Sequence, residues 1–343
     1  MISIFNQYPT YQVFLAFIIS MALTMIVMPF FIKLLKVRQI GQQVRADGPQ
    51  GHLVKQGTPT MGGLMMLCAV LAATLGFGLE SAGFVLPALL VTFAFALVGF
   101  LDDFIKVRLK RNLGLRAYQK IIAQFAIALL VALWAYRSPQ IGPALYLPIS
   151  GGSWDIGIYY IPLVMLVVIG TTNAVNLTDG LDGLAAGVSM IYSLAMTVVF
   201  ALLASQASLL GETLYGVNLE GMAVFAAAVT GACLGFIRYN TFPARVFMGD
   251  TGSLALGGAI AMMAIVSRSI LLLPVMGLCF VGSAVSVILQ VGSYKLRHGK
   301  RIFKMAPIHH HFELCGYSES RIVTMYTLVT TVLCAVCLLS YLR

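Results

Sequence analysis

The sequence predicts an all-α polytopic membrane protein, a single integral-membrane domain over residues 1–343 with about ten transmembrane helices. Three observations carry this. Hydrophobic residues make up 59% of the chain and charged residues 10%, with a mean hydropathy of +0.92, which ordinary soluble domains do not approach. The apolar residues fall into runs of about 17–25, long enough to cross a bilayer. The cations gather in alternate connections.

The runs cover roughly 11–35, 60–79, 83–101, 118–136, 158–175, 184–204, 221–239, 252–268, 270–294 and 321–341. Only Ser267-Arg268-Ser269 separates the eighth from the ninth. An even count puts both termini on one side. Of 22 Lys and Arg, 19 lie in segments 33–58, 103–120, 238–250 and 295–321. That bias turns the basic loops to the cytoplasm and both termini to the periplasm. The net charge of +10 is thereby concentrated on one face, where it meets anionic head groups of the membrane lipid or an anionic substrate. Topogenesis alone accounts for many of these cations, and no nucleic-acid partner is expected. The six Cys show no metal or disulfide spacing, and Cys334 and Cys337 share one face of the last span, as packing residues do.

In order, the first run is too long for a cleaved leader and ends at Lys33 and Lys36, so it reads as a retained span. The next loop holds Arg45, Asp47, His52 and Lys55 before "TPTMGG". Thr58 or Thr60 is placed to cap the second helix, whose first amides, with Lys55, also suit an anion. The third span ends "FLDDFIKV". On a helix Asp102 neighbours Lys106, while Asp102 and Asp103 diverge by about 100°. Such a pair divides its roles between a metal or proton and the support around it, or simply pairs with the basic residues that follow. Tyr118 and Lys120 open the fourth span. Residues 137–157, rich in Pro and Gly, fit a small β-hairpin on the periplasmic surface.

The fifth connection, "NAVNLTDGLDGLA", carries no cation. Asn173 and Asn176 are three apart, as are Asp179 and Asp182, so each pair shares one face of a helical turn. Converging carboxylates and amides suit a hard cation or a polar ligand. The bland alternative is a polar turn broken by Gly180 and Gly183. In "RYNTFPARVFMGDTGS", glycines flank Asp250 and let backbone approach a ligand closely, although an Asp there also fits a helix cap. Asn240, Phe247 and Arg245 add an amide, an aromatic face and a cation. Ser283, Ser286 and Gln290 form a polar face on the ninth span. The last loop carries His309, His310 and His311, then Glu313. In an extended segment His309 and His311 share a side, and neutral-pH histidines donate to phosphate or move a proton. A soft-metal site has only this one nitrogen cluster and no Cys to support it. Pooled, these loops supply Asp for Mg²⁺ and Lys and His for phosphates, the combination that phosphoryl transfer to or from a lipid needs.

The stretches "KQGTPTMGG", "FLDDFIKV", "NAVNLTDGLDGLA", "RYNTFPARVFMGDTGSLALGG" and "RIFKMAPIHHHFE" together resemble the phospho-N-acetylmuramoyl-pentapeptide transferase family. It lies within the polyprenyl-phosphate N-acetylhexosamine-1-phosphate transferase superfamily. The likeness runs over about residues 20–343, and the triple His favours this family over its relatives. The resemblance implies ten spans, outward termini and a cytoplasmic Mg²⁺ site. It further implies transfer of phospho-MurNAc-pentapeptide from UDP-MurNAc-pentapeptide to undecaprenyl phosphate, giving lipid I and UMP, in the inner membrane, by a homodimer. Carried over by motif, Asp102, Asp103 and Asp250 match the catalytic aspartates, with Asp250 as the Mg²⁺ ligand and Lys120 and His309–His311 beside them. Lys55, Thr60, Lys106, Asn173, Asn176, Asp179, Asp182, Asn240, Phe247 and Gln290 match substrate-side positions, with uracil on Phe247. A phosphate monoester is already largely ionised at neutral pH, since its second pKa is about 6. Asp102 therefore stands either as a base or as an organiser of metal or lipid. The alternatives are a sibling that moves GlcNAc-1-phosphate and a polytopic transporter. A transporter would carry ionisable groups near the midplane, whereas these runs are clean.

Overall fold

The computed structural model describes residues 9–41, 55, 57–79, 82–109, 114–147 and 151–341. Arg45, Asp47 and His52 lie outside them. Among the described residues the helices are α1 (Pro9–Val37), α2 (Gly63–Phe77), α3 (Ala82–Arg108), α4 (Ala117–Arg137), α5 (Tyr160–Thr178), α6 (Leu184–Leu209), α7 (Thr213–Asn240), α8 (Gly249–Val266), α9 (Leu273–Met276), α10 (Leu278–Leu296), α11 (Ile308–Leu314) and α12 (Glu319–Leu338). Nine helical segments are long and apolar enough to span a membrane, and α2, of 15 residues, is a shorter apolar helix. The architecture is all-α and polytopic. The one sheet among the described residues is the expected hairpin, β1 (Ala144–Tyr146) antiparallel to β2 (Ser153–Asp155), with Leu145 opposite Trp154.

Apolar content does not tell core from periphery here, because lipid tails are as apolar as a protein interior. Packing does. Over their most apolar stretches α7 and α8 are 83% and 89% buried, whereas α4 is 22% and α1 and the final helix 28%. α7 packs against α6 and α1, and α8 against α3 and α5. Close approach makes this possible: Gly99 on α3 lies against the backbone of Asp250 and Thr251, where a Cβ would overlap it. Hydroxyls inside the bundle return to their own helices, as in Thr24 to Ser20 O, Thr172 to Val168 O and Thr230 to Ala226 O. These hydroxyls are thus satisfied without water.

Two boundaries differ from the sequence reading. α2 starts at Gly63, not near Thr60, and no side chain caps it. Met61 has φ of +71°, Phe247 N donates to Pro59 O, and Gly62 N and Gly63 N donate to Phe247 O and Met248 O. Residues 59–63 therefore form an irregular ladder with 247–248, buried in protein, where non-helical backbone is tolerated at membrane depth. The run 270–294 is interrupted: α9 has Pro274 in its first turn and gives way to α10 at Gly277. The weakly marked division at 267–269 is real, with Arg268 at φ +58°.

Candidate active site

The C-terminal end of α3, the starts of α4 and α8 and the end of α5 meet at one end of the bundle. Asp102 and Asp103 diverge as a helix requires. Asp102 turns to the entry of α4, where Oδ1 accepts from Leu115 N at 2.8 Å and lies 3.3 Å from Lys120 Nζ. Its Oδ2 is 2.6 Å from Lys106 Nζ, one turn on. Asp103 instead reaches the start of α8, accepting from Asp250 N at 3.2 Å, Thr251 N at 2.9 Å and Thr251 Oγ1 at 2.7 Å. Both are buried. Gly249, at φ +78°, has no Cβ to collide with Asp103 Oδ2, which would lie 2.6 Å away.

Asp250 is the hub. Its Oδ2 accepts from Lys106 Nζ at 2.9 Å and Lys120 Nζ at 2.7 Å, and its Oδ1 from Asn176 Nδ2 at 2.9 Å. Asn176 also donates to Ser253 Oγ, one turn along α8. One carboxylate oxygen from each of Asp102, Asp103 and Asp250 lies within 4.8 Å of the others. Three carboxylates against two ammonium groups leave residual negative charge at a wall of hard oxygen donors. This donor set fits Mg²⁺, which is bound by one or two carboxylates and completed by water and substrate phosphate.

A second group braces the site. Lys55 Nζ donates to Asp182 Oδ1 at 2.8 Å and to the Glu319 carboxylate at 2.7 Å, while Asp182 Oδ2 accepts from Ala244 N at 2.9 Å. Asn240 accepts from Gly183 N and donates to Val246 O. The histidines sit on α11. His309 is fully buried, with its ring and that of His310 against Gly180. His310 Nδ1 is 2.6 Å from Glu313 Oε2, and His311 Nδ1 accepts from Lys304 N.

A family model described as glycosyl transferase family 4 matches residues 85–268, which contain the carboxylate cluster. The curated phospho-N-acetylmuramoyl-pentapeptide-transferase of Clostridioides difficile (strain 630) is 47% identical over 94% of this chain and 95% of its own length. That of Heliobacterium modesticaldum is 49% identical over 90% and 91%, and that of Desulfitobacterium hafniense 46% over 95% and 96%. The chain belongs to the phospho-N-acetylmuramoyl-pentapeptide-transferase family. It is accordingly a membrane transferase.

Within this transferase fold the predicted residues do not all meet. Asp102, Asp103, Asp250, Lys106, Lys120 and Asn176 converge directly. Asn173 shares the Asn176 face but exchanges hydrogen bonds with Gln124 on α4, its Nδ2 2.8 Å from Gln124 Oε1. Thr60 is buried beside Gly249 rather than capping α2. Gln290 is committed to the last loop, donating to Phe303 O and accepting from Ile302 N and Phe303 N. Phe247 is partly buried in the ladder with Pro59 and Gly62.

Two local expectations are corrected. Asp179 and Asp182 do not share a helical face, because α5 ends at Thr178 and Asp182 lies in the following turn. His309 and His311 are not paired on one side of an extended segment. On α11 successive residues turn by about 100°, which brings His309 and His310 together at a ring separation of 4.3 Å. The sequence reading missed Gln124, Thr251, Ser253 and Glu319. Gln124 stands one helical turn after Lys120 and Ser253 three residues after Asp250, spacings that could have marked them. Glu319 carries no such signal.

Asp179, at the end of α5, yields a pH prediction. Burial, then the charges of Asp250, Asp103 and Asp182, push its carboxyl up to about 8. Between pH 4 and 8 the folded chain therefore keeps a proton that the unfolded chain releases, and stability falls as pH rises, by at most about 1.4 kcal/mol per unit. Asp179→Asn removes that slope. Its thermal unfolding temperature in detergent should exceed the parent's at pH 8, with the gap closing toward pH 4. A gap that does not change with pH would refute the assignment.

Proposed function

We propose that this chain transfers phospho-MurNAc-pentapeptide from UDP-MurNAc-pentapeptide to undecaprenyl phosphate, releasing UMP and forming lipid I. One observation carries the reading: two carboxylates, Asp102 and Asp103, and two lysines converge on a third carboxylate, Asp250, at the end of the bundle that bears the basic loops. We place that end at the cytoplasmic face of the bacterial inner membrane, with both termini outward, by the excess of Lys and Arg in its loops. The names of the relatives supply the sugar-peptide. We treat residues 1–343 as one domain.

In this reading an oxygen of the lipid phosphate attacks the sugar-bearing phosphorus of the nucleotide. The new P–O bond forms as the bond to the UMP oxygen breaks, and UMP carries away the negative charge. Asp250, with Asp102 and Asp103 alongside, would hold Mg²⁺, which would supply positive charge against the phosphate charge of the reaction. Lys106 and Lys120 place two cations where phosphate charge accumulates. Asn176 orients Asp250 through Oδ1. Asp102 needs no proton from the lipid phosphate near neutral pH, since the second phosphate pKa is about 6. It is assigned instead to holding Lys106, Lys120 and the entry of α4. His309 and His310, packed over Gly180, are assigned to the sugar-phosphate side of the site.

The test is UMP release by detergent-purified protein given undecaprenyl phosphate and Mg²⁺. Release with UDP-MurNAc-pentapeptide and not with UDP-GlcNAc, abolished by EDTA, is the expected result. Release with UDP-GlcNAc instead would assign the chain to a sibling activity, and release from neither substrate by folded protein would overturn the transfer reading.

A further inference from the structure

Glu319 is the first residue of α12, just past the triple-His stretch, and its carboxylate reaches Lys55 and the 179–183 turn from outside every motif above. It accepts from Lys55 Nζ at 2.7 Å and from the backbone N of Asp182 at 3.3 Å. Lys55 and Asp182 are themselves paired at 2.8 Å, and Asp182 holds Ala244 N on the segment leading to Asp250. The three side chains are 14%, 2% and 12% exposed for Lys55, Asp182 and Glu319. This shielding makes the ion pairs stronger than surface pairs. A lysine ammonium has three donors. Asp182 and Glu319 take two of them and fix the side chain beside the Phe242 ring, and among the described residues no third acceptor is bonded to it, which suits a phosphate oxygen.

The geometry points to Glu319 as a positioning residue that sets Lys55 and the 179–183 turn for the nucleotide end of the donor substrate, without touching that substrate. This rests on the transfer reaction proposed above. Two carboxylates, one from the 179–183 turn and one from the start of α12, together fix the position of the Lys55 ammonium. Asp182 alone cannot do this, because its other oxygen is committed to Ala244.

The test is a double-mutant cycle of Glu319→Gln and Lys55→Met in the full chain. It reads KM and kcat for UDP-MurNAc-pentapeptide, KM for undecaprenyl phosphate, and calorimetric affinity for UDP. Loss of a charged hydrogen bond should raise the donor KM and weaken UDP about tenfold in Glu319→Gln. The lipid KM and kcat should stay within about twofold of the parent, and the double variant should be no weaker than Lys55→Met, because the two side chains act as one unit. Glu319→Asp should recover part of the donor affinity. An unchanged donor KM and UDP affinity in folded Glu319→Gln, or fully additive losses in the double variant, would overturn the proposal. A parent that transfers nothing, but whose UDP affinity still falls with Glu319→Gln, would refute the transfer reading while leaving the positioning role standing.

Discussion

Asp250→Ala should reduce UMP release by about a thousandfold or more, because it removes the carboxylate on which both lysines converge and to which the proposed metal site is assigned. The fold should survive the change. Asp250 contributes its backbone N to the Asp103 contact, and alanine keeps that donor. Lys106 and Lys120, at 32% and 23% side-chain exposure, retain Asp102 and reach solvent. Asn176 retains Ser253 as a partner. Asp250→Asn separates charge from shape: its amide oxygen can still accept from Asn176, but it no longer attracts the two ammonium groups or a cation. Equal inactivity of the two variants, with unfolding temperatures close to the parent's and Mg²⁺ no longer stabilising either, is the expected pattern. Turnover near the parent rate in folded Asp250→Ala would remove Asp250 from the metal site.

The ten apolar runs and the gathering of polar loops at one end were legible because bilayer thickness and the distribution of Lys and Arg act directly on sequence. Which helix is central was not. α7 and α4 are both apolar, and only small residues at crossings, such as Gly99 against Asp250, distinguish an interior position. The Asp102–Asp103 divergence followed from helical geometry alone. The Asn173–Gln124 exchange spans 49 residues: the spacing from Lys120 puts Gln124 on the site's side of α4, but nothing local pairs it with Asn173. The start of α2 was misplaced because Thr60 reads as a cap in isolation, whereas the competing ladder with Phe247 and Met248 comes from a distant segment. The histidines were misread despite a local signal: Pro307 stands at the N-cap of α11, and proline just ahead of an apolar run marks a helix start.

Asp103→Ala should differ from Asp250→Ala by costing the fold as well as the activity. A helix start leaves its first amides without intrahelical partners. In α8 no side chain of its own N-cap residue serves them. Asp103, from the end of α3, does so instead, taking Asp250 N, Thr251 N and Thr251 Oγ1 at a site where it is 4% exposed. Removing it strands three donors in the interior, at roughly 1–3 kcal/mol each before water enters. The total, about 3–9 kcal/mol, should appear as a clear drop in unfolding temperature. Asp103→Asn keeps one carbonyl acceptor but turns an NH₂ toward a donor, so its loss should fall between alanine and the parent. Activity should fall in both, since the backbone of Asp250 is what Asp103 holds. If Asp103→Ala loses activity yet unfolds at the parent temperature, the carboxylate acts on metal or substrate itself and the capping role is wrong. Adjacent carboxylates on one helix would then share a chemical task, rather than one performing it while the other builds the helix start that presents Asp250.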